Sequence, residues 1–257
     1  MFSIESEIPS LKPDILVDNF FGMSITNSMT SAIVMTIFFL LLGIVAVSRF
    51  GIKPNKFQLY IESFYLAIQN FVKGIINDDG LSRLLFPVLG TLFFYILFSN
   101  IFTIFPFISA IQFDGKSLFR THTFDINTTL AFSLSIVLIS QLMTVRKFGI
   151  LNYIFKFVKI PVVILGFKKG LASGILSIID FMIGFLDVVS EFAKIVSLAL
   201  RLFGNMFAGD MLMALVIGFF AIVLPLPVIF LGLFSGVVQA IIFTALTTTY
   251  LVLSVKE

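Results

Sequence analysis

Long uncharged apolar runs alternate with short segments that collect the charges and prolines of the chain. The first run predicts a span over 29–48, within an uncharged stretch from Asn19 to Ser48. At about 1.5 Å per residue such a run just crosses a hydrocarbon core of about 30 Å. Segment 55–77 reads differently: Gln58, Glu62, Gln69 and Lys73 recur at helical spacing on an otherwise apolar helix. A narrow polar stripe of that kind suits a helix lying along the membrane surface, with a further crossing as the alternative. Spans follow over 84–106, between Arg83 and Pro106, and over 124–145, ending at Arg146 and Lys147. From 171 to 253 the chain is almost continuously apolar, broken at Leu224–Pro227, where Pro225 and Pro227 mark a turn between two helices. The pattern predicts an all-α polytopic membrane protein with about five transmembrane helices and one membrane-surface amphipathic helix. It forms a single membrane domain over 1–257, with a long tilted helix over 171–224 and a last span over 228–253.

Composition agrees. Of 257 residues, 59% are hydrophobic and only 12% charged, more apolar surface than a soluble fold of this size can hide. The partner implied is a lipid bilayer. Segment 1–28 is acidic (Glu5, Glu7, Asp14, Asp18) and lacks the basic opening of a cleavable signal, so it is expected outside. Arg49, Lys53 and Lys56 after the first run, and the basic loop 146–170 with Lys156, Lys159, Lys168 and Lys169, are expected inside. A net charge of +3 without a basic face excludes nucleic acid as a primary partner. One histidine and no cysteine argue against a zinc site, and no phosphate-binding GxxxxGK[ST] run occurs.

The informative charges lie in the last third, because ionisable groups at membrane depth are expensive and need a partner, water or a function. Asp180, Asp187, Lys194 and Arg201 recur every seven residues, and Glu191 and Asn205 follow Asp187 and Arg201 by four. One helix over 171–224 would carry them as a stripe but would exceed roughly 70 Å, so it must tilt, lie partly along the surface, or break near Gly174 or Gly184. The constant phase of the stripe favours continuity. Asp210 follows Arg201 by nine residues and so faces about the opposite way, as suits a divider between two wet cavities. On the returning helix, Gln239 is placed to hydrogen-bond Arg201, whose guanidinium is a fixed positive charge. Thr244, Thr247, Thr248 and Thr249 read as glue between helices. His122, near Asp125, reads either as a proton relay or as a solvated loop histidine.

The segment SLALRLFGNMFAGD, Ser197–Asp210, strongly resembles the signature of subunit a of F-type ATP synthases, the stator subunit of the proton channel. ITNSM, FSNIFTIFP, FDINTTLAFSL and QAIIFTALTTTYL also look like segments of that family, and the resemblance covers about 20–253. It implies that the last two helices form a long tilted hairpin facing the rotor ring. Arg201 matches the arginine opposite the rotor carboxylate, Asn205 its neighbour, and Gln239 a polar partner on the last helix. Asp210 takes the place of an ionisable residue in the outer half-channel and Asp187 of one in the inner half-channel. Asn100, Asp125 and Asn127 match outer-side polar positions, and Glu191, Lys194 and Asp180 complete the polar stripe. Two departures are Gly232, where many relatives carry His or Glu, and Ile195, where a proline is frequent. The resemblance implies no cofactor and no catalytic site of its own. The partners implied are the rotor ring of subunit c, the peripheral stalk subunit b and other ATP synthase subunits. The membrane expected is the bacterial plasma (inner) membrane, with an organellar inner membrane as alternative. A standalone ion channel or secondary transporter is the other functional class, weakened by the lack of an internal repeat.

Overall fold

The computed structural model describes residues 13–20, 23–51, 54–104, 112–113, 116–151, 153, 171–219 and 225–256. The basic loop lysines 156, 159, 168 and 169, the acidic Glu5 and Glu7, and the side chains of Arg49 and His122 lie outside the described residues.

The described residues begin with an antiparallel hairpin that the all-helical reading did not contain: β1 (Ile15–Phe20) pairs with β2 (Met23–Thr26), with Ile15 opposite Thr26 and Val17 opposite Ile25. Its alternating β-branched residues favour a pleated ribbon. The backbone N–H of Asn27 donates to the Asp14 carbonyl at 3.1 Å and its Nδ2 to the Asp14 carboxylate at 3.3 Å, closing the hairpin onto the next helix. That helix, α1 (Asn27–Arg49), is capped by the Thr26 hydroxyl, which accepts from the Met29 N–H.

Helix α2 (Lys56–Ile76) starts at Asn55 and ends at Asn77 in the left-handed conformation, φ 53°. Gln58, expected on the polar stripe, is instead buried. Its amide donates to the Gly51 carbonyl at 3.1 Å and to Glu62 at 2.6 Å, and its Oε1 accepts from the Gly51 N–H. The glutamine thus satisfies the backbone of the preceding loop, which burial demands. Helix α3 (Asp79–Ile104) follows at once, its first turn capped by Asp78 Oδ1 accepting from the Gly80 and Leu81 N–H groups. Edge-on rings join the neighbouring helices: Phe64 on Phe94, Tyr65 on Phe86, and Phe39 on Phe98.

Two short strands, β3 (Gln112–Phe113) and β4 (Lys116–Ser117), and a 3-10 turn at His122–Phe124 lead to α4 (Ile126–Phe148). Helix α5 (Leu171–Phe219) is unbroken over 49 residues, through Gly174 and Gly184. Helix α6 (Pro225–Lys256) begins at Pro225, a first-turn position where the missing N–H costs nothing.

By length and composition four helices can cross a membrane: Asn27–Ala46, Asp79–Phe102, Ile126–Phe148 and Pro225–Val255. Leu40 and Ile44 are each 64% exposed and Phe230 72%. Apolar surface that extensive is the exterior of a protein solvated by lipid. The molecule is an all-α polytopic membrane protein apart from its two small hairpins.

The chain forms two compact units, Met1–Thr129 with Leu200–Thr249, and Leu130–Ala199 with Tyr250–Glu257. In the first, the core comprises Val72 and Ile76 of α2, Leu89, Phe93 and Ile96 of α3, and Phe243 of α6. In the second, the Thr144 hydroxyl donates to the Ser254 carbonyl at 3.0 Å and the Lys147 ammonium to the Val255 carbonyl, tying the end of α6 to α4.

Candidate functional site

Arg201 stands exposed on α5, with no hydrogen bond or ion pair among the described residues. Gln239 does not bond to it, contrary to expectation. The glutamine is buried and its Nε2 has no partner among the described residues, whereas Arg201 points out. The pairing across the two helices falls to Asn205, whose Oδ1 accepts from the Ser235 hydroxyl at 2.7 Å. Gly236, next to Ser235 and three residues before Gln239, accepts through its carbonyl from Nδ2 of the fully buried Asn100 of α3 at 3.2 Å. This bond is possible because position 236 has no side chain: a Cβ there would sit 2.9 Å from that of Asn100.

The threonines of α6 depart from the expected role. Thr248 and Thr249 donate to carbonyls four residues back in their own helix, at 2.7 and 3.0 Å, an internal use that spares a partner helix. The buried Thr244 and Thr247 hydroxyl oxygens have no partner among the described residues.

A second polar group gathers where the hairpin, α1, the 3-10 turn and α5 meet. Asp125 is buried; its carboxylate accepts from the Ser28 hydroxyl at 2.9 Å and from the Asn127 N–H at 3.0 Å, capping α4. Asn127 itself is exposed. Ser31 Oγ accepts from the Arg120 N–H at 3.0 Å. The Arg120 guanidinium lies over the Phe124 ring, 4.1 Å from its centroid, and Phe124 packs against Phe207 and Phe203 of α5 at 5.4 and 6.1 Å. Burial lowers the pKa of Arg120, opposed by the carboxylates of Asp14, Asp210 and Asp125, so the group remains a cation. Asp210 is half-buried and has Arg120 as its charged neighbour among the described residues.

In the second unit, Asp180 is exposed and Asp187 half-buried. Glu191 and Lys194 pair with each other at 2.7 Å, and the Lys194 ammonium lies 5.5 Å from the Tyr250 ring centroid. Among the described residues no cluster of His, Cys, Asp and Glu could hold a metal ion.

Sequence reading places Ser235 on one face of the last helix with Gln239, but does not single out Ser28, Ser31 or Gly236 and gives Arg120 no role. Hydrophilic small residues inside apolar spans were the available signal for the serines. Arg120 offered only its place in a mixed-charge loop.

Apart from its two small hairpins the chain is an all-helical polytopic membrane protein that carries ionisable and amide side chains along one long helix. The model of the ATP synthase A chain family matches residues 28–252, and the chain belongs to that family. It is similar to ATP synthase subunit a of Moorella thermoacetica, 31% identical over 213 residues, covering 82% of this chain and 83% of that one. The subunit a of Syntrophobacter fumaroxidans is 30% identical over 212 residues, 81% of this chain and 76% of its own. A third relative, from Propionigenium modestum, is named ATP synthase subunit a, sodium ion specific; it is 28% identical, over 85% of this chain and 72% of its own. The chain is thus an integral membrane protein with the role of subunit a of F-type ATP synthase, serving ion transport and ATP synthesis with other ATP synthase subunits.

Proposed function

We propose that this chain is the proton-translocating stator subunit, forming two offset half-channels to the carboxylates of a rotor ring of subunit c, with Arg201 separating them. The observation that carries the reading is Arg201: an exposed guanidinium, on a largely apolar helix, with no counter-charge among the described residues. A charge so placed is costly unless something outside the chain answers it, and a carboxylate on the ring is of the right sign and chemistry. A ring carboxylate must be protonated to travel through lipid, since a bare charge there costs several kcal/mol. Opposite Arg201 the ionised form is favoured and the proton leaves into one half-channel. The next site takes a proton from the other. The fixed cation also repels protons from any direct route between the two cavities. Each elementary charge crossing 100 mV delivers about 2.3 kcal/mol, which rotation conveys to the soluble catalytic head.

Asp210, with Asn100, Asp125 and Asn127, is assigned to the outer path, and Asp187, Glu191, Lys194 and Asp180 to the inner one. Asn205 and Gln239 flank the arginine. Support for water-filled paths comes from Gln239, Thr123, Thr244 and Thr247, whose buried polar atoms lack protein partners among the described residues and are of the kind water normally satisfies. The long α5 and α6 are read as the tilted pair facing the ring, the peripheral stalk subunit b as a further partner, and the bacterial plasma membrane as the site.

The test is ATP-driven acidification of inverted membrane vesicles, with retained binding of the catalytic head as the control for assembly. Asp210→Asn, which removes the titratable group altogether, is expected to slow acidification by about tenfold or more. Asp180→Asn, at an exposed position, is expected to change it less than about twofold. Equal rates in the two variants would refute the outer-path assignment. Acidification that requires added Na⁺ would refute the proton as coupling ion.

A further inference from the structure

Asp210 is a carboxylate on a largely apolar helix and calls for a counter-charge, which Gly232 on the last helix cannot supply. The structure offers a different source. Three acidic residues surround Arg120, but they are not equivalent. Asp125 is already bonded to Ser28 and to the Asn127 N–H, and Asp14 to Asn27. Asp210 forms no hydrogen bond among the described residues, and Arg120 is its charged neighbour. The arginine is also held firmly. Its own N–H is fixed by Ser31, 89 positions earlier, and its guanidinium lies on Phe124. The Phe124 ring in turn packs on the rings of Phe203 and Phe207, which themselves stack at 5.5 Å. A loop cation is thereby anchored by aromatic contacts to the same helix that carries Asp210. The usual explanation for such a residue is a clip that fastens a loop. A clip, however, has no need of a charged head group, and this one sits among three carboxylates of which Asp210, one turn beyond Phe207 on α5, alone lacks a hydrogen bond among the described residues.

We propose that Arg120 is a positioning residue of the outer proton path: it supplies, from the loop before α4, the fixed positive charge that acts on Asp210. The proposal rests on the reading of Asp210 as a proton carrier. Its effect is exerted through Asp210. An opposite charge within a few ångströms changes the proton affinity of a carboxylate by roughly tenfold or more, and the rate at which protons pass it changes accordingly. Lysine keeps a cation over the Phe124 ring, although it loses the planar stacking of the guanidinium.

The experiment is ATP-driven acidification of inverted vesicles containing the whole complex, with head binding as the assembly control. Arg120→Gln is expected to pump about tenfold more slowly, and Arg120→Lys within about twofold of the parent. In an Asp210→Asn background Arg120→Gln is expected to add less than about a further twofold, since residues acting through one group are not additive. Because the chain has no cysteine, Arg120→Cys allows rescue after assembly. A thiol reagent that adds an aminoethyl cation is expected to restore pumping, and one that adds a neutral methyl group is not. An unchanged rate in Arg120→Gln, additive losses with Asp210→Asn, or equal impairment by Lys and Gln would each overturn the proposal. Failure of both the Gln and Cys variants to assemble would make Arg120 a structural clip and overturn it equally. Arg201→Ala, run in parallel, separates the two levels. If it pumps normally the half-channel reading falls, and if it is inactive while Arg120→Gln is normal only the role of Arg120 falls.

Discussion

Replacement of Arg201 by alanine is expected to abolish ATP-driven acidification of inverted vesicles while the complex stays assembled. The residue is exposed and bonded to nothing among the described residues, so its loss leaves no orphaned partner within the fold and creates no cavity. The expected damage is electrostatic. Without the guanidinium, a ring carboxylate leaving the lipid has no cation to favour its ionised form, and a bare charge in an apolar setting costs several kcal/mol. Since each 1.4 kcal/mol is a factor of ten, the rate should fall at least about a hundredfold, to background. Arg201→Lys is expected to fail as well. An ammonium keeps the sign but is a compact, strongly hydrated charge that loses its proton more readily when buried, and it lacks the planar fork that meets a carboxylate through two donors. Normal growth on a respiratory substrate with lysine at 201 would sink the divider assignment, and unchanged pumping with alanine would make the residue structural.

The second large effect is expected at Gly236, and it concerns assembly rather than conduction. Gly236→Ala would place a methyl group 2.9 Å from the Cβ of Asn100, a contact that neither backbone can relieve without moving α3 away from α6. The same movement stretches the Asn100 Nδ2 bond to the Gly236 carbonyl, at 3.2 Å, and strands a buried amide. Overpacking of this kind costs about 1–3 kcal/mol. The assembled complex should therefore melt at a lower temperature in detergent and lose head binding, with Gly236→Val worse than Gly236→Ala. Gly232 is the control on the same helix, because a Cβ there would meet nothing within 4 Å. If Gly232→Ala and Gly236→Ala melt alike, the close approach at Asn100 is not what limits packing.

The two predictions differ in how far their residues could be recognised from the chain alone. Arg201 stands out in one dimension: a lone arginine in an apolar segment, in phase with Asp187 and Lys194, within a run resembling a known family. Gly236 does not, since glycine is common in membrane helices and its contact at Asn100 lies 136 positions away. Arg120 was hidden for the same reason; Ser31, which fixes its backbone, is 89 positions distant. The β1–β2 hairpin escaped because it is short and its apolar content merges into the approach to α1. Gln58 misled in the opposite direction, since a glutamine in a polar stripe reads as solvated until the loop that folds over it is known.

Hydropathy and period, which act between near neighbours, were therefore enough to establish the membrane-spanning helical class and the unbroken course of α5 with its polar stripe. Family membership was equally legible, because the arginine segment is contiguous. Which polar groups meet was not legible: Asn205 with Ser235 rather than Arg201 with Gln239, Asp125 with Ser28, Arg120 on Phe124 beside Asp210. Those pairings depend on how far apart the helices lie and how each is rotated about its axis. Side-chain volumes summed over whole helix faces set both, and no local stretch of sequence encodes that sum.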